Sequence, residues 1–251
     1  MAFWTLYKRE LNGYFQSAVA YIVLFGSALA QGIQFIFIVS AVVGPPAYKE
    51  QSVMQIFFTW PLFWLLLLGQ VPLITMRVFS EEFKLGTIEM LLTAPVREWD
   101  VVLAKFFGAL SFFLILWLPI ALDLTALQLF SNPEPPVYWS QLGLTALTIT
   151  LIGGFYVSLG IFTSVLTKNQ IIAAVLCFAL LFVTFGVALL RWIQHVDANL
   201  LAWVSYVSTP EHLQNAVLGI FDTRPVVFYV TVTAFMLMLT KSILEGRRLQ
   251  G

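Results

Sequence analysis

Of the thirteen basic and thirteen acidic side chains in this chain, nine fall between Arg77 and Lys105: Arg77, Glu81, Glu82, Lys84, Glu89, Arg97, Glu98, Asp100 and Lys105. A chain this apolar keeps such a cluster only where something wet must touch it. The chemistry on offer is docking, because the sequence holds none of the constellations that break bonds unaided. It has no G-x-x-x-x-G-K-[ST] loop to cradle a nucleotide's phosphates, no H-E-x-x-H zinc helix and no G-x-S-x-G nucleophile elbow. His195 and His212, the two histidines, stand 17 positions apart without a cysteine cluster and read as surface histidines, not as metal ligands. Cys177, the single cysteine, lies in an apolar run and reads as a buried, inert thiol.

An ion-coupled carrier would place ionisable groups at mid-membrane depth, where each costs about 2.5–3.5 kcal/mol on insertion scales. Lys105 and Asp123 are the candidates. Lys105 stands near the end of its apolar segment and can snorkel to the surface. Asp123 follows 18 residues later, about 27 Å of helix. That puts it near the opposite surface, with Pro119 kinking the helix below it, and favours a structural role. Among neutral groups, Ser27, Gln31 and Gln34 share one helical face, and Gln70 sits in the next segment. Gly153, Gly154, Ser158, Gly160 and Ser164 form a face of small residues. Small faces let helices approach and amides bond across them, so packing is favoured over a substrate path.

The elements that must position these groups are membrane spans. The 251 residues are 60% hydrophobic and 10% charged, with a mean hydropathy of +0.89, against about 25% charged in a soluble domain. Six apolar segments, approximately 18–43, 55–76, 102–130, 141–166, 171–190 and 225–241, each suffice to cross a hydrocarbon core. Helix is the only open-chain conformation that satisfies its backbone in lipid. The first segment begins after Lys8, Arg9 and Glu10 and exceeds the usual signal-peptide core of about 7–15 residues, so it is expected to remain as a span. Ten of the thirteen lysines and arginines fall on one side of such a bundle, which predicts cytoplasmic termini and a cytoplasmic 80–100 segment. Phe3, Tyr7, Leu11 and Tyr14 recur at helical spacing in 2–16 and predict a helix lying in the interface. In 191–224, Leu200, Leu201, Val204 and Val207 and the Ser208-Thr209-Pro210-Glu211 start predict two short outer helices, the second ending at Gly219. The fold class is thus an all-α polytopic membrane protein with a single transmembrane domain over 1–251. Zero net charge argues against a nucleic-acid partner.

Within 80–100, Ser80 is expected to cap a short helix whose first turn holds Glu81 and Glu82. Gly86 should break it, and Thr87 should start a second piece with Ile88, Leu91 and Leu92 on its apolar face, stopped by Pro95. A bent amphipathic pair at the membrane surface results.

The run Thr75-Met76-Arg77-x-Phe79-Ser80-Glu81-Glu82-x-Lys84-x-Gly86-Thr87-x-Glu89-x-Leu91-Leu92-Thr93-x-Pro95-Val96 resembles the cytoplasmic loop of ABC-2 family transporter permeases, most of all those of the gliding-motility type. Leu166-Thr167-x-Asn169-Gln170 and Asp222-Thr223-Arg224 are similar to that branch too. The resemblance implies a six-helix permease working as a dimer, with a second copy or a related permease, on two cytoplasmic ABC ATPase subunits in a bacterial inner membrane. It makes the loop between spans two and three the coupling helix, with Glu81, Glu82, Lys84, Gly86, Thr87, Glu89 and Leu92 as ATPase contacts. ATP and magnesium would then belong to the partner and no cofactor to this chain, which would not itself be an enzyme. The gliding-type branch also implies an accessory membrane protein with an extracytoplasmic domain. Export is the leading function. The alternatives are force transmission to an extracytoplasmic partner without cargo and, behind it, an ion-coupled carrier.

Overall fold

The computed structural model describes residues 2–43, 52–88, 96–130, 138–192 and 198–248. In chain order the described helices are α1 (Ala2–Phe15), α2 (Ala18–Val43), α3 (Val53–Thr59), α4 (Pro61–Thr75), α5 (Ser80–Leu85), α6 (Glu98–Leu116), α7 (Leu118–Phe130), α8 (Trp139–Leu166), α9 (Gln170–Gly186), a 3-10 turn at Val187–Trp192, α10 (Ala198–Val207), α11 (Thr209–Val217) and α12 (Thr223–Arg248). No strand occurs among the described residues. Among the described residues, five stretches are long and apolar enough to cross a membrane: Ala18–Ser40, Pro61–Leu85, Glu98–Leu129, Trp139–Leu166 and Thr223–Arg247. The fifth segment expected to cross, α9, is an apolar helix of 17 residues that the 3-10 turn continues. Large apolar side chains face outward, including Tyr21, Ile22 and Phe25 of α2 and Val175, Phe178 and Phe182 of α9. Such faces suit lipid and not water.

Prolines interrupt two of the spans. The segment expected to run unbroken over 55–76 is two helices, because Pro61 brings no N–H and forces its predecessor out of the helical region. Trp60 accordingly stands at φ −65° and ψ 135°. The third span breaks at Trp117, two residues before Pro119, and α7 continues beyond it.

The most buried of the five long stretches is α8, and its small residues explain why. A Cβ built on Gly153 would lie 2.7 Å from Phe113 Cδ1, and one on Gly160 would lie 2.7 Å from Thr75 Cβ. The predicted small face is therefore where α6 and α4 come closest to α8. Likewise α1 presses on α6 at Gly108, where a Cβ would meet Glu10 Cβ at 3.1 Å. The Tyr14 and Phe112 rings stack beside that contact at 4.8 Å.

Gly160→Ala must push Thr75 out of its seat and is expected to lower stability by about 1–3 kcal/mol, the range for overpacking. Gly143→Ala, in the same helix with nothing within 4 Å of its added carbon, should be neutral or stabilising. Thermal unfolding of both variants in detergent checks the pair.

Candidate functional site

The sequence-predicted docking segment begins with α5, and its two sides do different things. Glu81 and Glu82 turn toward the protein. Arg77 donates to both Glu81 oxygens at 2.8 and 3.2 Å and to Ser17 Oγ at 2.5 Å. Glu82 Oε1 accepts from Lys105 Nζ at 2.8 Å. The other side is exposed and consists of Lys84, Leu85, Gly86 and Thr87, with Leu85 at 66% exposure. Gly86 ends α5 at φ 72°, a left-handed conformation that favours glycine, and helical backbone resumes at Thr87 and Ile88. Glu89, Leu91, Leu92 and Pro95 lie outside the described residues.

Ser80 does not cap α5, as the sequence suggested. It is the first helical residue, and its hydroxyl donates back to the Met76 carbonyl. The cap comes instead from α8. Ser164 Oγ accepts the Phe79 and Ser80 N–H groups at 3.0 and 3.1 Å and donates to the Met76 carbonyl at 3.2 Å. A helix start needs partners for its first N–H groups, and any nearby oxygen serves. Phe79 is fully buried, and the Arg247 guanidinium at the end of α12 lies 4.3 Å over the Phe83 ring. Thus α5 is fastened on its inner side by α4, α6, α8 and α12.

Lys105 is the centre of this fastening and does not snorkel to the surface. At 2% exposure it donates to Glu82 Oε1, to the Val78 carbonyl at 2.9 Å and to Glu10 Oε2 of α1 at 3.2 Å. Burial by itself would raise the Glu10 carboxyl, but Lys105 and Arg9 outweigh it and hold that group below its ordinary value. Three elements, α1, α5 and α6, therefore meet at one ammonium.

Deeper in the bundle the glutamines meet the proline breaks. In an unbroken helix the Phe57 carbonyl would accept from residue 61, which here is Pro61 and has no N–H. Gln34 Nε2 of α2 donates to that carbonyl at 2.8 Å instead. At the Pro119 break, Gln31 Nε2 donates to the Leu116 carbonyl at 2.8 Å. Ser27 Oγ accepts from both Gln31 and Gln70, at 2.8 and 2.7 Å. The structure thus brings Ser27, Gln31 and Gln70 together and seats Gln34 at the other break. Asp123 is half-buried on α7 and takes no part in that network among the described residues.

Residues 72–246, more than half of the chain, match the family described as ABC-2 family transporter protein. This chain belongs to the ABC-2 transporter family. No curated protein matches it. The family is one of non-enzymatic membrane permease components that associate with an ABC ATPase, which accounts for a chain without a nucleotide-binding loop. In this ABC-2 protein the two shorter motifs are helix starts. Asn169 Oδ1 accepts from the Ile171 and Ile172 N–H groups at 2.9 and 3.5 Å to cap α9, and Asp222 Oδ1 accepts from the Arg224 N–H at 2.9 Å ahead of α12. Sequence reading missed Leu85, an exposed leucine on a short charged helix. It singled out Lys105 but not its role, since its partners stand 23 and 95 positions away.

Away from α5, α11 packs along α8 as far as Tyr156, whose hydroxyl bonds Thr209 at 3.0 Å. His212 is not the surface residue expected: it is 7% exposed, with Nδ1 2.7 Å from the Tyr229 hydroxyl and Nε2 3.1 Å from the Ser205 carbonyl. A carbonyl only accepts, so Nε2 carries the proton and Nδ1 accepts from Tyr229. His195 lies outside the described residues. A cavity of about 750 Å³ opens nearby, lined by Phe58, Trp64 and Phe182 among its apolar residues and Gln55, Glu211 and Gln214 among its polar ones.

Two predictions follow from this geometry. Lys105→Met leaves Glu10 and Glu82 with Arg9 as their one cation and the Val78 carbonyl without its donor, and is expected to cost about 3 kcal/mol, as loss of one partner of a buried pair does. It should also expose α1 to proteolysis, and Glu10→Gln in the same chain should return part of the loss in a double-mutant cycle. Burial lowers the His212 pKa against the opposing pull of the Ser205 carbonyl and Asp222. Its stabilising share is therefore intact above about pH 6.5 and is lost as pH falls from there through the lowered value, because the unfolded chain binds the proton first. Unfolding midpoints at about pH 7.5 and about pH 5.5 should differ less in His212→Gln than in the parent.

Proposed function

We propose that this ABC-2 protein is the transmembrane subunit of an ATP-driven exporter in a bacterial inner membrane. It crosses six times, with α9 and its 3-10 continuation as the fifth crossing, and keeps both termini and α5 in the cytoplasm. It pairs with a second copy or a related permease above two ATPase subunits, which alone bind ATP and magnesium. The observation that carries this reading is the two-sidedness of α5. Lys84, Leu85, Gly86 and Thr87 are exposed, while Glu81, Glu82, Phe79 and Phe83 are bonded or packed into the rest of the chain. An exposed leucine ringed by polar groups is the composition of a docking tip, and the motif extends it to Glu89 and Leu92. Closure of the ATPase dimer would push on that tip. Lys105, Arg77 and Ser164 would pass the displacement to α1, α4, α6 and α8, since a packed interior shifts as a unit and does not yield locally. The aromatic cavity near α11 supports a cargo with an apolar body.

The loop's likeness to gliding-motility-type permeases supports that branch and an accessory membrane protein with an extracytoplasmic domain. One observation favours a second reading, force transmission without cargo. Gln31, Gln34 and Gln70 spend their amide N–H groups on other helices and do not line an open path.

Affinity purification in mild detergent tests the proposal. A stoichiometric ATPase should co-purify, and Leu85→Asp or Glu89→Arg should reduce its recovery at least tenfold, the equivalent of about 1.4 kcal/mol. Particles that function without a nucleotide-hydrolysing companion would overturn it. Reconstituted vesicles that accumulate a defined amphiphile would decide against the cargo-free reading.

A further inference from the structure

The last turns of α12 reach the docking segment from the far end of the chain. This helix has 26 residues, about 39 Å at helical rise, whereas a hydrocarbon core takes about 20 residues. Lys241, near its end, pairs with Glu245 Oε1 at 2.5 Å and holds its ammonium 5.8 Å over the Trp99 ring of α6. Farther on, the Arg247 guanidinium lies 4.3 Å over the Phe83 ring of α5. Its Nη2 also donates to the carbonyl of Leu166, the last residue of α8, at 3.2 Å. One side chain of α12 therefore touches two other helices.

That contact completes a row of four groups. Lys105 Nζ lies 5.1 Å over the Phe79 ring, the Phe79 and Phe83 rings stack at 6.3 Å, and Arg247 covers Phe83. Both rings are buried. The docking segment thus meets a cation from α6 at one ring and a cation from α12 at the next, and the face of each ring attracts a positive charge. The Leu166 carbonyl is among the last four of α8, which lack intrahelical donors and favour a cation nearby. A guanidinium can lie flat on a ring while an in-plane N–H reaches a carbonyl, and a point-like ammonium cannot do both.

We propose that Arg247 is a positioning residue that couples α5 to the last span: displacement of the docking tip passes through the Phe83 ring to α12 and, through the Leu166 carbonyl, to the end of α8. The bonds of Lys105, Arg77 and Ser164 described above reach α1, α2, α4, α6 and α8 but not α12. Arg247 supplies that missing route. The proposal rests on reading α5 as the point where the ATPase pushes.

Two measurements on the full chain test it, one without the ATPase and one with it. In the detergent-purified protein, amide hydrogen exchange of α5 should be several-fold faster in Arg247→Gln than in the parent, with Arg247→Lys in between. Phe83→Leu keeps an apolar group and removes the ring; it should have the same effect, and adding Arg247→Gln to it should change little further. In the ATPase complex, Phe221→Cys places an exposed thiol just ahead of α12, while the native Cys177 is buried. Labelling of that thiol by an impermeant maleimide should shift several-fold when ATP binds. Arg247→Gln should abolish the shift with ATPase recovery intact, a result that general destabilisation does not give. Unaltered exchange at α5 in Arg247→Gln, no shift in the parent complex, or the same shift with Arg247→Gln would overturn the coupling role. Failure of the ATPase to co-purify counts against the exporter reading alone, because exchange at α5 is read without it.

Discussion

The ammonium of Lys105 sits where three helices need a common partner. It is buried, so its desolvation has to be offset, and Glu82, Glu10 and the Val78 carbonyl together offset it. Each of those acceptors belongs to a different piece of the cytoplasmic end as proposed: α5, α1 and the turn between α4 and α5. A point charge with three rotatable donors can serve three directions at once, which an arginine's planar fork cannot do in the same space. The consequence is mechanical. α5 cannot move without disturbing α1 and α6.

A second constraint acts deeper. Proline breaks a helix and leaves carbonyls without donors, and in lipid no water is at hand to satisfy them. Pro61 and Pro119 do this in two different spans, and α2 answers both with side-chain amides from one face. The stripe of Ser27, Gln31 and Gln34 is thus matched to defects elsewhere in the chain. The same logic governs the close approaches at Gly153 and Gly160, where a missing side chain, not an added polar one, brings helices together.

Much of the fold was legible in advance, for reasons particular to each element. Apolar runs of span length announced the long helices, because a helix in lipid is read from composition alone. Pro61 and Pro119 were equally visible, though only Pro119 was taken as a break; the apolar residues on both sides of Pro61 disguised the first. Gly86 and Gly219 marked helix ends through their positive φ angles. The candidate site was less legible. The loop's resemblance makes Glu81 and Glu82 ATPase contacts, and it gives no sign of the pairs they form here with Arg77 and Lys105. Ser80 looked like a cap, and Ser164 took that role from another helix. His212 read as a surface residue because two distant histidines without a cysteine cluster make no metal site, but α11 turns it against Tyr229 and Ser205.

The sequence by itself determined that this is a helical membrane protein of the ABC-2 family with one strongly charged loop. Hydropathy, proline and glycine placement and the loop motif are local properties, summed along the chain without reference to its path. Only the tertiary structure decided which charges are spent inside and which stand free. Hydrogen bonds and ion pairs act over about 3 Å, so the partner of each polar group depends on which helices lie side by side. Gln31 and Leu116, 85 positions apart, meet for that reason and no other.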